Sequence, residues 1–235
     1  MEQLNINHIL DRSNKEKILI DCLNHFEKNK TNVLTRRGIY IYGSPGAGKT
    51  WFVKNILKQL DYDVISFDAG DVRNKTIIEN ITKHNMSDTN IISMFHKKKK
   101  KIAVVMDEID GMNGGDKGGI NSLIKLIRPK KTKKQKLEDS TMIPIICIGN
   151  YHIDKKITEM MKVCTTIELQ TPSNEQTENI INLLMPTLES SLRKNMVEFI
   201  QGDLRKLTST YDIYKNQHSI LKSKIITTIF QPKIY

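Results

Sequence analysis

A glycine-rich loop between an apolar run and a helical pattern constrains this sequence more than any other feature. The loop fits G-x-x-x-x-G-K-[ST], and its residues are Gly43, Ser44, Pro45, Gly46, Ala47, Gly48, Lys49 and Thr50. Glycines let a backbone wrap closely around phosphate oxygens, so that its N–H groups and the next helix N-terminus face the anion. The pattern predicts that Lys49 reaches the β- and γ-phosphates of a nucleotide and that Thr50 holds Mg²⁺.

Short apolar runs alternate with helical patterns through most of the chain. The predicted strands are 38–42, 64–67, 102–106, 143–148 and 164–169. The predicted helices are 15–28 before the first strand, and 50–60, 75–83, 89–95 and 119–127 between the strands. This alternation predicts a parallel, doubly wound α/β sheet. After Pro172 only helical spacing remains. We therefore expect an α/β nucleotide-binding domain over residues 1–171 and a small all-helical lid domain over residues 172–235.

Two carboxylates end the third predicted strand. Asp107 and Glu108 follow the apolar residues 102–106 directly. Ligands of open α/β sheets bind at the carboxyl ends of the strands, so this pair is expected beside the phosphate loop. We expect Asp107 to orient Mg²⁺ and Glu108 to polarise the attacking water as a general base.

Composition narrows the class of protein. The chain has 235 residues, a net charge of +11 and three widely spaced cysteines. Its apolar runs are shorter than the ~18–20 residues that span a bilayer, and the cysteines favour a reducing compartment without disulfides. We expect a soluble intracellular protein without a structural metal site. The positive charge fits either a nucleic-acid binder or a lysine-rich solvated surface, and composition leaves both open.

Five short segments occur in a fixed order along the chain. They are 68–75 (DAGDVRNK), 107–112 (DEIDGM), 118–124 (GGINSLI), 143–150 (IPIICIGN) and 202–207 (GDLRKL). Together with the phosphate loop, they resemble AAA+ ATPases, and within them the large subunit of the eukaryotic clamp loader replication factor C. The resemblance implies a P-loop module with a five-stranded parallel sheet and a helical lid, which binds ATP and Mg²⁺. It fits a compact relative without the collar and BRCT domains, such as a viral one.

The resemblance also implies roles for further residues. Asn150 is expected to be a first sensor that holds the lytic water or the γ-phosphate. Arg205 is expected to be a second sensor that reaches the γ-phosphate from the lid. Val163 stands where small clamp-loader subunits carry an arginine that acts on a neighbour's ATP. Because an arginine finger is worth about 10³–10⁵ in rate, we expect weak hydrolysis unless a partner supplies one.

The resemblance implies partners as well: other AAA+ subunits, a sliding clamp and primer–template DNA, in the nucleus or at a viral replication site. A basic insertion is hypothesised to contact DNA phosphates through Lys130, Lys131, Lys133, Lys134 and Lys136. The alternative for this insertion is a solvated loop or a nuclear-import-like string. Phe95 is the expected clamp contact, although the apolar residues around it could instead pack a helix on the sheet.

The leading prediction for function is an ATP-dependent clamp-loader subunit. One alternative is an initiator or helicase-loader ATPase with the same core. A second is a nucleotide-bound scaffold that hydrolyses little.

Overall fold

The computed structural model describes residues 6–71, 73, 76, 101–113, 118–138, 140–151 and 154–216. The strands are β1 (Gly38–Tyr42), β2 (Tyr62–Phe67), β3 (Lys101–Met106), β4 (Ile145–Gly149) and β5 (Thr165–Glu168). The helices are α1 (Ile6–Ile9), α2 (Ser13–Lys28), α3 (Lys49–Gln59), α4 (Gly119–Ile127), α5 (Lys133–Lys136), α6 (Lys155–Val163), α7 (Asn174–Leu184), α8 (Ser190–Ile200) and α9 (Leu204–Asn216), with a 3₁₀ helix at Ile109–Asn113.

The five strands form one parallel sheet in the order β2-β3-β4-β1-β5. The three inner strands are almost continuously buried, as expected for a parallel sheet that is covered on both faces. This confirms the predicted α/β fold, although strand ends move by one or two residues. β4, for example, begins at Ile145 rather than Ile143, because Pro144 has no N–H to give to the sheet.

Two compact units divide the described residues. The larger unit holds residues 15–43 and the described part of 49–168, and therefore the whole sheet. Its core packs the inner strands against the apolar face of α4, including Val104, Ile145 and Leu123. This packing fixes the carboxyl ends of β1, β3 and β4, where the polar residues described below begin.

The smaller unit holds residues 6–14, 44–48 and 169–216. Its core joins α1 to the three C-terminal helices through Ile6, Ile180, Met196 and Leu207. A capping box between Ser173 and Gln176 begins α7, satisfying backbone N–H groups at the start of the helix. Residues 6–14, which the predicted boundary assigns to the first domain, thus pack with the lid helices.

Some predictions fall on residues that the structure does not describe. The predicted helix at 89–95 and the expected clamp contact Phe95 lie outside the described residues, as does nearly all of the predicted helix at 75–83. None of the helices in the described part of the chain is both long and apolar enough to cross a membrane.

Candidate functional site

Lys49 belongs to the glycine-rich loop and is the first residue of α3. Its ammonium donates hydrogen bonds to the carbonyl oxygen of Gly43, at 2.9 Å, and to Oδ1 of Asn150, at 3.0 Å. The amide nitrogen of Asn150 in turn donates to Oδ2 of Asp110, at 3.0 Å. These contacts bring a cation and a polar amide together at the carboxyl ends of β1 and β4 and fix the direction of the amide.

Thr50 and Asp107 meet across two elements of the same unit. The Thr50 hydroxyl donates to Oδ2 of Asp107 at 2.5 Å. Asp107 is held at the end of β3 because its backbone N–H donates to the carbonyl of Phe67 on β2, at 2.8 Å. Hydroxyl and carboxylate oxygens are the ligands that Mg²⁺ prefers, and this ion usually takes its remaining ligands from water and phosphate. The pair therefore fits a magnesium site.

Glu108 has a backbone conformation that is uncommon for a residue with a side chain. Its φ angle is 49°, in the left-handed region. The conformation is supported by a bond from its N–H to Oδ1 of Asp107, at 2.9 Å, and by one from the Gly111 N–H to its carbonyl, at 3.0 Å. Glu108 is exposed, so its carboxylate is accessible to water. Such outliers occur often at functional sites.

Arg73 is a buried residue whose contact with the acidic pair was missed by the sequence analysis. Only 2% of its surface is exposed, and its guanidinium donates to the carbonyl oxygen of Asp107 and to that of Glu108. It thereby ties the segment after β2 to the backbone of both acids. The segment 68–75 was recognised only as part of the family resemblance. Nothing in it indicated a contact more than thirty residues further along the chain.

Residues 44–48 of the glycine-rich loop belong to the smaller unit and lie against the start of α9. Gly46 has a φ angle of 79°, and a Cβ added there would lie 2.3 Å from Cγ of Asp203. The Leu204 N–H donates to the Gly46 carbonyl at 2.8 Å. Arg205 is the next residue after Leu204. Its side chain is 71% exposed, and its Nε lies 3.7 Å from Oδ1 of Asp203. The structure thus places the predicted second sensor one residue from a direct contact with the loop.

The three cysteines are free thiols, of which Cys147 and Cys164 are buried. Burial raises the pKa of Cys147 well above its usual value and that of Cys164 to about 12. Both groups are therefore neutral and poorly nucleophilic at physiological pH, because the thiolate is the reactive form. Their contribution is to core packing.

The basic insertion divides into exposed and buried lysines. The prediction of a DNA contact is wrong for Lys130, which is fully buried and donates to the Lys125 carbonyl and, at 3.3 Å, to Glu138. Glu138 also binds Arg128, at 2.5 Å, and so anchors the insertion. Burial lowers the pKa of Lys130, against the effect of Glu138. The exposed members of the insertion are Lys131, Lys133, Lys134 and Lys136.

Comparison with known proteins decides the family. Residues 39–172, more than half of the chain, match the ATPase family associated with various cellular activities (AAA). The chain belongs to the AAA family. Membership implies nucleotide binding, and the matched range contains the loop from Gly43 to Thr50.

The resemblance to the large subunit of replication factor C is also confirmed. The chain is 26% identical to replication factor C subunit 1 of Saccharomyces cerevisiae over 206 residues, which cover 83% of this chain and 22% of the yeast protein. It is 33% identical to the human subunit 1 over 140 residues, covering 57% of this chain and 11% of that one. The replication factor C large subunit of Nanoarchaeum equitans is 24% identical over 230 residues, covering 96% of this chain and 47% of the relative. The chain thus spans less than half the length of these relatives.

Two solved structures with a similar fold illustrate the architecture. The ORC2 protein of Aeropyrum pernix has a TM-score of 0.59 at 13% identity, covering 89% of this chain and 63% of that one. The Thermotoga maritima RuvB Holliday junction branch migration motor has a TM-score of 0.56 at 14% identity, covering 93% and 66%. At this identity the likeness shows the fold alone.

Proposed function

We propose that the protein is a clamp-loader subunit that uses ATP to place a sliding clamp on primer–template DNA. The observation that carries the ATPase part is the assembly of Lys49 with Asn150 and of Thr50 with Asp107, beside the exposed Glu108. The similarity to large subunits of replication factor C over most of the chain supports the clamp-loading part.

Each residue of the proposed ATPase site has a distinct task. Lys49 neutralises charge on the β- and γ-phosphates, as a compact ammonium can. Thr50 and Asp107 hold Mg²⁺, which screens the charge that develops on the transferred phosphoryl group. Glu108 takes a proton from the attacking water, and Asn150 orients that water or the γ-phosphate.

Arg205 is proposed to complete the charge stabilisation from the lid. Its guanidinium is permanently charged and forked, which suits a γ-phosphate. In the structure it lies near Asp203 with most of its side chain exposed. Since an exposed ion pair is worth only about 0–1 kcal/mol, little free energy opposes its transfer to a phosphate.

A partner is proposed to supply the arginine finger for a clamp-loader ring. The resembling small subunits donate that arginine from the position of Val163, and here Val163 ends α6 and packs, partly buried, against the core. Because Val163 is aliphatic, one copy of this chain offers no charge to the ATP of a neighbouring copy. We therefore propose that the chain hydrolyses ATP slowly alone and works in a hetero-oligomer with other AAA+ subunits.

The proposed function predicts stimulation of ATP turnover by partners. Steady-state ATPase activity of the purified chain should rise at least about tenfold when small clamp-loader subunits, sliding clamp and primer–template DNA are added together. Substitution of the finger arginine in the small subunits should remove this rise. Turnover that is independent of clamp and partners would contradict clamp loading and favour an initiator or helicase-loader ATPase. ATP binding without turnover under any condition would favour a scaffold.

A second prediction concerns the exposed lysines of the insertion, which we propose as the DNA contact. The quadruple variant Lys131→Gln, Lys133→Gln, Lys134→Gln and Lys136→Gln should weaken DNA binding. The slope of log K against log[salt] should become shallower by up to about 3.6, because each of four neutralised phosphates contributes about 0.9 for duplex DNA. Fluorescence anisotropy at several salt concentrations measures both quantities.

The matched control removes the same charge from exposed lysines on other helices, with the substitutions Lys17→Gln, Lys28→Gln, Lys155→Gln and Lys156→Gln. We expect a smaller change of slope in this control. Equal slopes for the two quadruple variants would mean that the insertion only adds to the general positive charge.

A further inference from the structure

Arg12 lies between α1 and α2 in the smaller unit and is almost completely buried. Only 4% of its surface is exposed. Its Nη2 donates to the carbonyl oxygen of Gln170, at 2.9 Å, whereas its Nη1 has no hydrogen-bond partner among the described residues. Leaving a buried donor unpaired is costly, and more so for a charged group. The second half of the guanidinium therefore requires an explanation.

The unpaired nitrogen lies beside the glycine-rich loop. Nη1 is 3.8 Å from the point where a Cβ on Gly48 would stand, and the Leu204 side chain lies 2.7 Å from the same point. Gly48 directly precedes Lys49 in the phosphate-binding pattern. The free half of the guanidinium thus faces the loop that holds the phosphates of a nucleotide in proteins with this pattern.

The backbone at Arg12 and at the preceding residue is held by hydrogen bonds. The Arg12 N–H donates to the Asn7 carbonyl at 2.8 Å. Asp11 has a φ angle of 52°, and its carboxylate accepts a bond from Nε2 of Gln176, at 3.0 Å. The backbone that carries the Arg12 side chain is therefore held in place, and the bond to Gln170 fixes one end of the guanidinium.

The charge on Arg12 persists despite burial. Burial lowers the pKa of Arg12 to about 10, which still leaves the group protonated at neutral pH. Within the described residues, no carboxylate forms an ion pair with it. A buried guanidinium with a single backbone acceptor is well suited to an anionic oxygen, because its N–H groups match phosphate geometry.

We propose that Arg12 is a further nucleotide-contact residue, whose Nη1 donates to a phosphate oxygen of the nucleotide held by the glycine-rich loop. The inference rests on the nucleotide binding in the proposed function. It adds a cation from the N-terminal segment beside loop residues 44–48 of the same unit, about thirty residues later in sequence. Because a phosphate oxygen is the acceptor, Arg12 should contribute to the affinity for nucleotides and not to the affinity for the nucleoside.

The test compares Arg12→Met with the matched control Arg193→Met. Arg193 lies in the same unit and, like Arg12, donates to one backbone carbonyl, that of Leu188, at 2.9 Å. Competition against a fluorescent nucleotide gives the affinities for ADP and adenosine, and thermal unfolding without nucleotide gives the stability. We expect Arg12→Met to weaken ADP binding about tenfold or more and adenosine binding less than about twofold. The nucleotide-free unfolding temperature should be unchanged or higher, since a buried charge is removed.

Other outcomes would overturn the assignment. Equal weakening of ADP and adenosine would move the contact from the phosphates to the nucleoside. Unchanged ADP affinity with a lower unfolding temperature would make Arg12 a structural anchor for Gln170. An equal loss of ADP affinity in Arg193→Met would mean that the effect is not specific. If the wild-type chain binds no ADP, the proposed function fails and the Arg12 contact with it.

Discussion

Replacing Glu108 with glutamine is expected to lower ATP turnover by about 10²- to 10⁴-fold, the usual worth of a general base. Glutamine has the same size but does not accept the proton of the attacking water. The hydrogen bonds that support Glu108 involve only its backbone: its N–H donates to Oδ1 of Asp107, and its carbonyl accepts from the Gly111 N–H. The substitution therefore leaves both bonds in place. ATP affinity should therefore stay close to that of the wild type.

The measurement separates chemistry from binding. Single-turnover hydrolysis in the presence of the partner subunits gives the rate of the chemical step, and titration with a non-hydrolysable ATP analogue gives the affinity. Glu159→Gln, an exposed position on α6, removes the same charge away from the acidic pair and should leave both values unchanged. A Glu108→Gln rate within tenfold of the wild type would show that another group acts as the base.

Local sequence patterns were sufficient to predict the elements to which we assign this chemistry. The loop from Gly43 to Thr50, the strand that ends at Asp107 and the buried inner strands follow from short-range spacing, which is set by turns and by burial on both faces. Asn150 was placed by family resemblance. The structure adds that its amide lies between Lys49 and Asp110.

The partners of buried charged side chains, whether near or distant in sequence, were beyond the reach of those patterns. Lys130 looked like its neighbouring lysines in sequence, but it is buried because Glu138 and the Lys125 carbonyl compensate its ammonium. Arg12 and Arg73 are likewise buried against segments far away in the chain, at Gln170 and Asp107. A charged residue is predicted to be exposed unless its partner is known, and the partner becomes visible only in the fold.

The N-terminal segment is a similar case. Its apolar residues Ile6 and Leu10 gave no indication of which helices they would meet, and they pack with α7 and α8 in the core of the smaller unit. This packing places Arg12 in the same unit as residues 44–48 of the loop. A domain boundary placed at Pro172, where strand patterns stop, does not show that N-terminal residues belong to the same unit as the C-terminal helices.

Replacing Lys49 with methionine is expected to weaken ATP binding by about 30- to 5,000-fold, since truncating one partner of a buried charge pair costs about 2–5 kcal/mol. Methionine keeps much of the apolar stem that α3 buries but carries no positive charge for the phosphates. Lys49 is 9% exposed, and its ammonium is held by the Gly43 carbonyl and the Asn150 amide oxygen, so its position is defined before a phosphate binds.

Titration of ATP by calorimetry, with the nucleotide-free unfolding temperature measured in parallel, checks this prediction. Lys54→Met is the matched control, because Lys54 is an exposed residue of the same helix. The Lys54→Met protein should bind ATP as the wild type does. An affinity of Lys49→Met within threefold of the wild type would contradict the assignment of the loop. Because Glu108→Gln should bind ATP without turnover and Lys49→Met should not bind it, the pair shows whether nucleotide occupancy alone supports clamp and DNA binding, or whether hydrolysis is also required.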